Sequence, residues 1–433
     1  MKTPHRACIA CITLLILSFN IPSFNTAAQT DARVTVAIAW SPDGDMLAIG
    51  GSTTSGQGAI WLYDDLGAVI DTIYLPGTVV NVSWNRDGAR LAARYDTKGG
   101  TRLAIWDWKP LKTSTPLVTT EEIRGPSEGD RIEWSPTGRY IAVDDTLSVH
   151  IFDTATGNRV AQLYDKERTG TSGTLDIEWT TNEQSVYVLY EDRNTNQILQ
   201  WNINTAQIIR TVLSEASFVP ISMRQSLDSQ WLAVSEGRGS VFLLDGLNFE
   251  AERELLIHQR VESHIPYVSY LFWLEGNSAL LGLADDGSAY LWDTTTGELI
   301  AVDSLIPDKG IYMRDVALTP FGGRLAIATT WYPETPTSTP PYAPTKYQPL
   351  LLGGMVRVIV PAPSFDRLTA LLELSVQDVA TPIEPLSKLT AQPVSEATLP
   401  TFVASVEALP DDAMLSACRA DLLAMADALR SGE

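Results

Sequence analysis

Cysteine, histidine and positive charge are all scarce in this chain. Its 433 residues contain three cysteines, Cys8, Cys11 and Cys418. The first two sit in an N-terminal apolar stretch, so removing that stretch leaves Cys418 alone. No intramolecular disulfide is then available, and stability has to come from the core. Lys and Arg number 31 against 52 Asp and Glu, a formal net charge of −21, without a basic run. Nothing in that pattern neutralises a phosphate backbone, which excludes nucleic acid and anionic membrane surfaces as expected partners. Of the four histidines, His150, His258 and His264 lie outside the N-terminal stretch, with no His-x-x-x-His or His-Glu-x-x-His spacing. Zinc catalysis has no support in that pattern, and His258 and His264 read as solvated loop residues. The Gly-x-Ser-x-Gly elbow and the phosphate-binding loop are missing as well, and Cys418 has no identifiable His partner. The expectation is therefore no catalytic residue, no metal and no cofactor, with a dispersed active site as the remaining route to an enzyme.

Long apolar runs are also missing. Ala7 to Phe19 is mostly apolar, follows Lys2 and Arg6, and precedes the small residues Thr26, Ala27 and Ala28. This is shorter than the roughly 20 residues of a spanning helix and has the grammar of a signal peptide over 1–28, cleaved near Ala28. Export to an extracytoplasmic compartment follows, with an uncleaved membrane tether as the competing reading. Asn81-Val82-Ser83 matches a glycosylation sequon but falls in an apolar strand, and it reads as accidental.

What the chain does have is a repeat. An apolar strand ending in Trp, a turn, a second apolar strand, a Gly/Asp-rich turn and a third strand ending in an aromatic-Asp pair recur along it. The clearest copies are VAIAWSPDGDMLAIGG from Val36, VNVSWNRDGARLAAR from Val80 and IEWSPTGRYIAV from Ile132. Anchored at the Trp position, seven copies fall at Trp40, Trp84, Trp134, Trp179, Gln225, Trp273 and Leu318, with steps of 44, 50, 45, 46, 48 and 45 residues. Third strands end at Asp64, Asp107, Asp153, Asn202, Asp245 and Asp293, and a fourth strand follows through turns such as Thr154-Ala155-Thr156-Gly157. A lone twisted four-stranded sheet cannot cover both faces, so the copies are expected to stack and close into a ring. The expected fold is all-β: a seven-bladed β-propeller of four-stranded antiparallel blades over 29–376. FDRLTALLEL, residues 365–374, is expected to supply the outer strand of the seventh blade.

With IWD at Ile105 and LWD at Leu291, the span from about Val34 to Leu374 resembles the Trp-Asp (WD) repeat propellers. The Gly-His pair that opens strict repeats of that family is missing from every copy. The Trp-Ser-Pro-Asp-Gly turns are also similar to those of TolB-like propellers and of the propeller modules of prolyl peptidases. The WD resemblance implies a noncatalytic platform that presents its rim to a protein or peptide.

Loops between second and third strands gather at one rim of such a ring. The seventh is the outlier: 329–353 reads TTWYPETPTSTPPYAPTKYQPLLLG, with six Pro and four interleaved aromatics. Proline narrows the chain toward polyproline geometry and the rings offer apolar contact, as a binding arm requires. Trp331, Tyr332, Tyr342 and Tyr347 are the candidate contacts, and Arg94 and Arg193 are candidates for anionic groups. Beyond the propeller, 377–410 is rich in Pro, Thr, Ser and Ala and reads as a linker. A short C-terminal amphipathic helix over 411–433 follows, with Leu415, Cys418, Leu422, Met425 and Leu429 as its stripe.

Overall fold

The computed structural model describes most residues from 34 to 331, together with 354–359, 398–408 and positions 422, 423 and 426. The expected signal peptide, the 365–374 strand and most of the C-terminal stripe lie outside the described residues.

The repeats fold as seven successive antiparallel sheets. The first holds β1 (Val34–Trp40), β2 (Met46–Ser52), β3 (Gly58–Asp64) and β4 (Val69–Leu75). The second holds β5 (Val79–Trp84), β6 (Arg90–Asp96) and β7 (Gly100–Asp107), with β8 (Val118–Thr119) and β9 (Ile123–Arg124) both paired to β7 and sharing the outer position. The third is β10 (Ile132–Trp134), β11 (Tyr140–Asp144), β12 (Ser148–Asp153) and β13 (Arg159–Tyr164). The fourth is β14 (Thr174–Trp179), β15 (Ser185–Tyr190), β16 (Asn196–Asn202) and β17 (Gln207–Glu215). The fifth is β18 (Pro220–Gln225), β19 (Trp231–Glu236), β20 (Ser240–Asp245) and β21 (Ala251–Leu256). The sixth is β22 (Val268–Leu274), β23 (Ala279–Ala284), β24 (Ser288–Asp293) and β25 (Leu299–Ser304). The seventh is β26 (Ile311–Leu318), β27 (Leu325–Trp331) and β28 (Gly354–Ile359).

The first strands of blades 1 to 6 lie side by side in order and β26 lies against β1, while blades 6 and 7 are joined by a shared apolar cluster and by the Tyr270 hydroxyl donating to Arg314 O (2.9 Å), so the first strands form the inner ring of a seven-bladed propeller. Between blades the alternating apolar side chains make continuous clusters. One joins Ile60, Leu62 and Ile73 of blade 1 to Val82, Leu91 and Trp106 of blade 2. Another joins Ile38, Trp40 and Trp61 of blade 1 to Ala317, Ala326 and Ala328 of blade 7. The recurrent Trp has a second role beyond filling space. Trp134 Nε1 donates to Ser83 O (3.2 Å), Trp179 Nε1 to Glu133 O (3.0 Å) and Trp273 Nε1 to Arg224 O (3.0 Å). In each case the indole of one blade bonds the inner strand of the preceding blade, satisfying its own polar edge while fixing the blade-to-blade register.

Turn chemistry explains the rest of the repeat. Gly44, Gly88 and Gly138 all hold φ between 67° and 73° four residues after the anchor, a region glycine enters without a Cβ clash. The eroded copies keep that geometry with Glu183, Ser229 and Asn277. In blades 3 to 6 the acidic or amide residue ending the third strand closes the next hairpin as an Asx turn. Asp153 Oδ1 accepts from Ala155 N and Thr156 N, and Asp293 Oδ1 accepts from Thr295 N and Thr296 N. Outer strands carry a bulge at a constant place, skipping Ile70, Val160 and Ile209, all of them exposed. Such a bulge bends the free edge and blunts its tendency to pair with another chain.

One boundary is corrected. Helix α1 (Leu399–Glu407) lies within the stretch 377–410 expected to be linker. Leu399, Phe402, Val403 and Val406 recur at helical spacing and are buried, and a proline stands in the first turn, where its missing N–H costs nothing. Leu422 and Ala426, on the expected C-terminal helix, are buried as well.

Candidate functional site

The inner strands carry a feature that composition hides. In six of the seven a register shift falls four residues before the anchor, at Val36, Val80, Leu175, Ile221, Ser269 and Arg314. A bulge re-aims the side chains that follow it. Three and one residues before the anchor, the chain places Arg131 just ahead of β10 and Glu133 on it, Asp176 and Glu178 on β14, Arg224 on β18, Tyr270 on β22 and Asp315 on β26. Arg131 is held above its ordinary range chiefly by Asp176, and it also feels Tyr270, Arg224 and Asp315 from three further blades. Only a shared central space allows one side chain to meet all of these, so the charges line the channel. Arg131, Glu133, Arg224 and Glu178 keep 13–37% side-chain exposure in the centre of the ring, which makes that channel accessible to water.

Two of the carboxylates are committed to the fold. Asp176 accepts from Ile177 N (3.0 Å) with one oxygen, and from Met223 N and Ser222 Oγ of the next blade (both 2.9 Å) with the other. Asp315 repeats this between blades 7 and 1, accepting from Val316 N (2.9 Å) and Ile38 N (2.8 Å). Burial raises the Asp315 carboxyl to about 6 despite those two bonds.

The other two share one guanidinium. Arg224 Nη1 lies 2.8 Å from Glu178 and 3.9 Å from Glu133. Burial pushes Glu178 up to about 8, and the charges of Glu133 and Asp176 add to that against the pull of Arg224. Burial raises Glu133 too. A carboxyl raised in the folded state binds more protons folded than unfolded, so stability falls as pH climbs from its ordinary value through its folded one. For Glu178 that window runs from 4.5 to about 8, and for Asp315 from 3.8 to about 6. The melting temperature is expected to fall as pH rises from about 5 to about 8, and Glu178→Gln is expected to flatten the fall. A melting series in both proteins checks this.

A Ser-His-Asp grouping lies on blade 3, and its geometry is that of a structural network. His150 Nε2 lies 2.7 Å from Asp145 Oδ2 and 3.3 Å from Ser148 Oγ, while Arg159 Nη1 lies 3.0 Å from Nδ1. Arginine has only donors, so Nδ1 must accept and the proton sits on Nε2, directed at Asp145. Ser148 Oγ itself donates to Asp145 Oδ2 (2.9 Å). The imidazole therefore presents no base to the hydroxyl, which a nucleophilic serine requires.

Arg94, expected at the rim, is fully buried between blades 2 and 3. Its Nη1 donates to Asp144 Oδ1 (2.6 Å) and its Nε to Thr101 Oγ1 (3.1 Å), so its anionic partner is internal. Trp331 ends β27, where it pairs with Ile311. Tyr332, Tyr342, Tyr347 and Arg193 lie outside the described residues. Of the expected contacts that lie among the described residues, Arg94 is internal and Trp331 ends β27, and the described residues also assemble a charged channel that loop-directed reasoning passed over. The signal for that channel was present as charge at two fixed positions of strands that otherwise read as core.

Among the described residues no group of three or more His, Cys, Asp or Glu has the arrangement to hold a metal ion. No protein-family model matches the chain, and no curated protein matches it in sequence.

Proposed function

We propose that this protein is an exported, noncatalytic β-propeller that binds a protein or peptide partner at the rim carrying its second-to-third-strand loops. One observation carries the reading: Thr330 on β27 pairs directly with Gly354 on β28. Both ends of the Pro- and Tyr-rich segment are thereby fixed at one edge of blade 7, on the face where the other loops of that class emerge. A long insertion anchored at both ends of a rigid hairpin is where propellers and other scaffolds carry recognition. The resemblance to WD-repeat propellers supports the same reading, and the N-terminal segment supports export.

Deleting Glu334 to Gln348 tests it. Affinity for a partner recovered with the intact protein is expected to drop by about tenfold or more, with an unchanged melting temperature. Unchanged affinity in a folded deletion variant would remove the arm from the account.

The channel carboxylates are what the alternative, a hydrolase or lyase at the channel mouth, requires. Against it, Asp176 and Asp315 have their oxygens occupied by backbone N–H groups, and Glu178 is tied to Arg224.

A further inference from the structure

The polar network around His150 joins two neighbouring blades. Its imidazole is buried on β12, two residues before Phe152, whose side chain packs against blade 2. Asp145, in the turn between β11 and β12, has both oxygens engaged. Oδ2 accepts from His150 Nε2 (2.7 Å) and Ser148 Oγ (2.9 Å), and Oδ1 accepts from Leu147 N (2.7 Å) and Ser148 N (2.6 Å). Burial works against its ionised form, but the bonds from His150, Leu147 and Ser148 hold the carboxyl below its ordinary range. On the other side of the ring, Arg159 Nη1 donates to His150 Nδ1, and Arg159 Nε lies 3.0 Å from Glu121 of blade 2. Glu121 stands where the outer strand of blade 2 is interrupted between β8 and β9. The adjacent Glu122 accepts from Thr97 Oγ1, in the loop between β6 and β7. One polar chain thus runs from Asp145, in the second-to-third-strand loop of blade 3, through His150 and Arg159 to the outer edge of blade 2.

We infer that His150 is a proton-operated latch between blades 2 and 3. In the neutral ring Nδ1 accepts from Arg159 and holds that side chain beside Glu121. In the protonated ring Nδ1 carries a hydrogen, which cannot face a guanidinium that has only donors. Arg159 then turns away, and Glu121 loses its partner. Two features let the folded protein take up the proton. Asp145 is ionised and stabilises an imidazolium on the Nε2 side, and the Arg159 side chain, 37% exposed, reaches water without unfolding. Among the described residues the charged groups around the ring are Asp145 from its own blade's turn, Arg159 from β13 and, behind Arg159, Glu121 from blade 2. Arg94 and Asp144 lie one strand further in and are paired with each other. Acid therefore loosens the outer edge of blade 2 beside the loop that carries Thr97. The latch does not depend on what the rim binds.

Nuclear magnetic resonance of the full chain with ¹⁵N-labelled histidine tests the proposal between about pH 8 and pH 5, the range in which imidazoles gain protons. At the upper end His150 is expected to show one protonated nitrogen, Nε2, and at the lower end two. Arg159→Met, a change at a partly exposed side chain, removes the opposing donor and is expected to raise the pH of that transition by about half a pH unit or more. Hydrogen exchange read by mass spectrometry supplies the second measurement. Relative to the free-chain rate at each pH, peptides over 117–124 are expected to exchange about two- to fivefold faster at the lower end, as fits the loss of one partly exposed ion pair. His150→Gln, whose amide donates to Asp145 and accepts from Arg159 but does not titrate, is expected to abolish that acceleration. A His150 that keeps one protonated nitrogen throughout, or a transition that Arg159→Met leaves in place, would overturn the latch. So would acceleration that persists in a folded His150→Gln protein.

Discussion

Replacing Arg94 with Met is expected to destabilise the propeller by about 3–5 kcal/mol, because it strands a buried carboxylate. Asp144 is fully buried and accepts from Arg94 Nη1 at 2.6 Å and from Arg131 N at 2.9 Å. Methionine approximates the volume of the arginine stem and fills the space, so the loss isolates the charge rather than a cavity. The double variant Arg94→Met with Asp144→Asn removes the stranded charge and keeps an acceptor for Arg131 N. It is expected to recover much of the loss, a coupling that a double-mutant cycle in thermal or denaturant unfolding measures directly. Were Arg94 instead a contact for an external anion, Arg94→Met would leave the melting temperature unchanged and weaken binding.

The second large effect concerns ring closure. Asp315→Ala is expected to cost about 2–5 kcal/mol, since it leaves the N–H groups of Ile38 and Val316 without their acceptor. Asp176→Ala removes the same kind of bond between blades 4 and 5, together with the Ser222 hydroxyl contact. The two variants are expected to differ in where they loosen the molecule. Asp315→Ala opens the seam between the last blade and the first, whereas Asp176→Ala loosens an interior seam that is also held by chain connectivity. Limited proteolysis followed by mass mapping distinguishes them: early cuts near blades 1 and 7 for Asp315→Ala, and near blades 4 and 5 for Asp176→Ala.

Much of the fold was legible because each repeat states it locally. The Trp anchor, the positive-φ turn residue and the polar residue after the third strand recur through most of the copies, and even eroded copies keep the apolar alternation. The channel was not legible in the same way. A charged residue in a short strand looks like one on a solvent face, and Asp176 and Asp315 acquire their role only when the neighbouring blade brings Met223 N and Ile38 N to their oxygens. Arg94 was misplaced for the same reason, because its partner Asp144 comes from the next repeat, 50 residues away. Helix α1 was passed over because Pro, Thr and Ser set the composition of its surroundings, although Leu399, Phe402, Val403 and Val406 already traced a helical face.

Closure of seven blades into one ring through the Asp315 clasp is the claim on which the channel and the shared rim both rest. Hydrogen exchange followed by mass spectrometry tests it most directly, comparing short peptides that contain Ile38 with those that contain Met223. The account predicts strong and similar protection of both amides in the native protein, with Asp315→Ala releasing Ile38 and sparing Met223. Rapid exchange of Ile38 in the native protein, at the rate of an exposed strand, would contradict the closed ring.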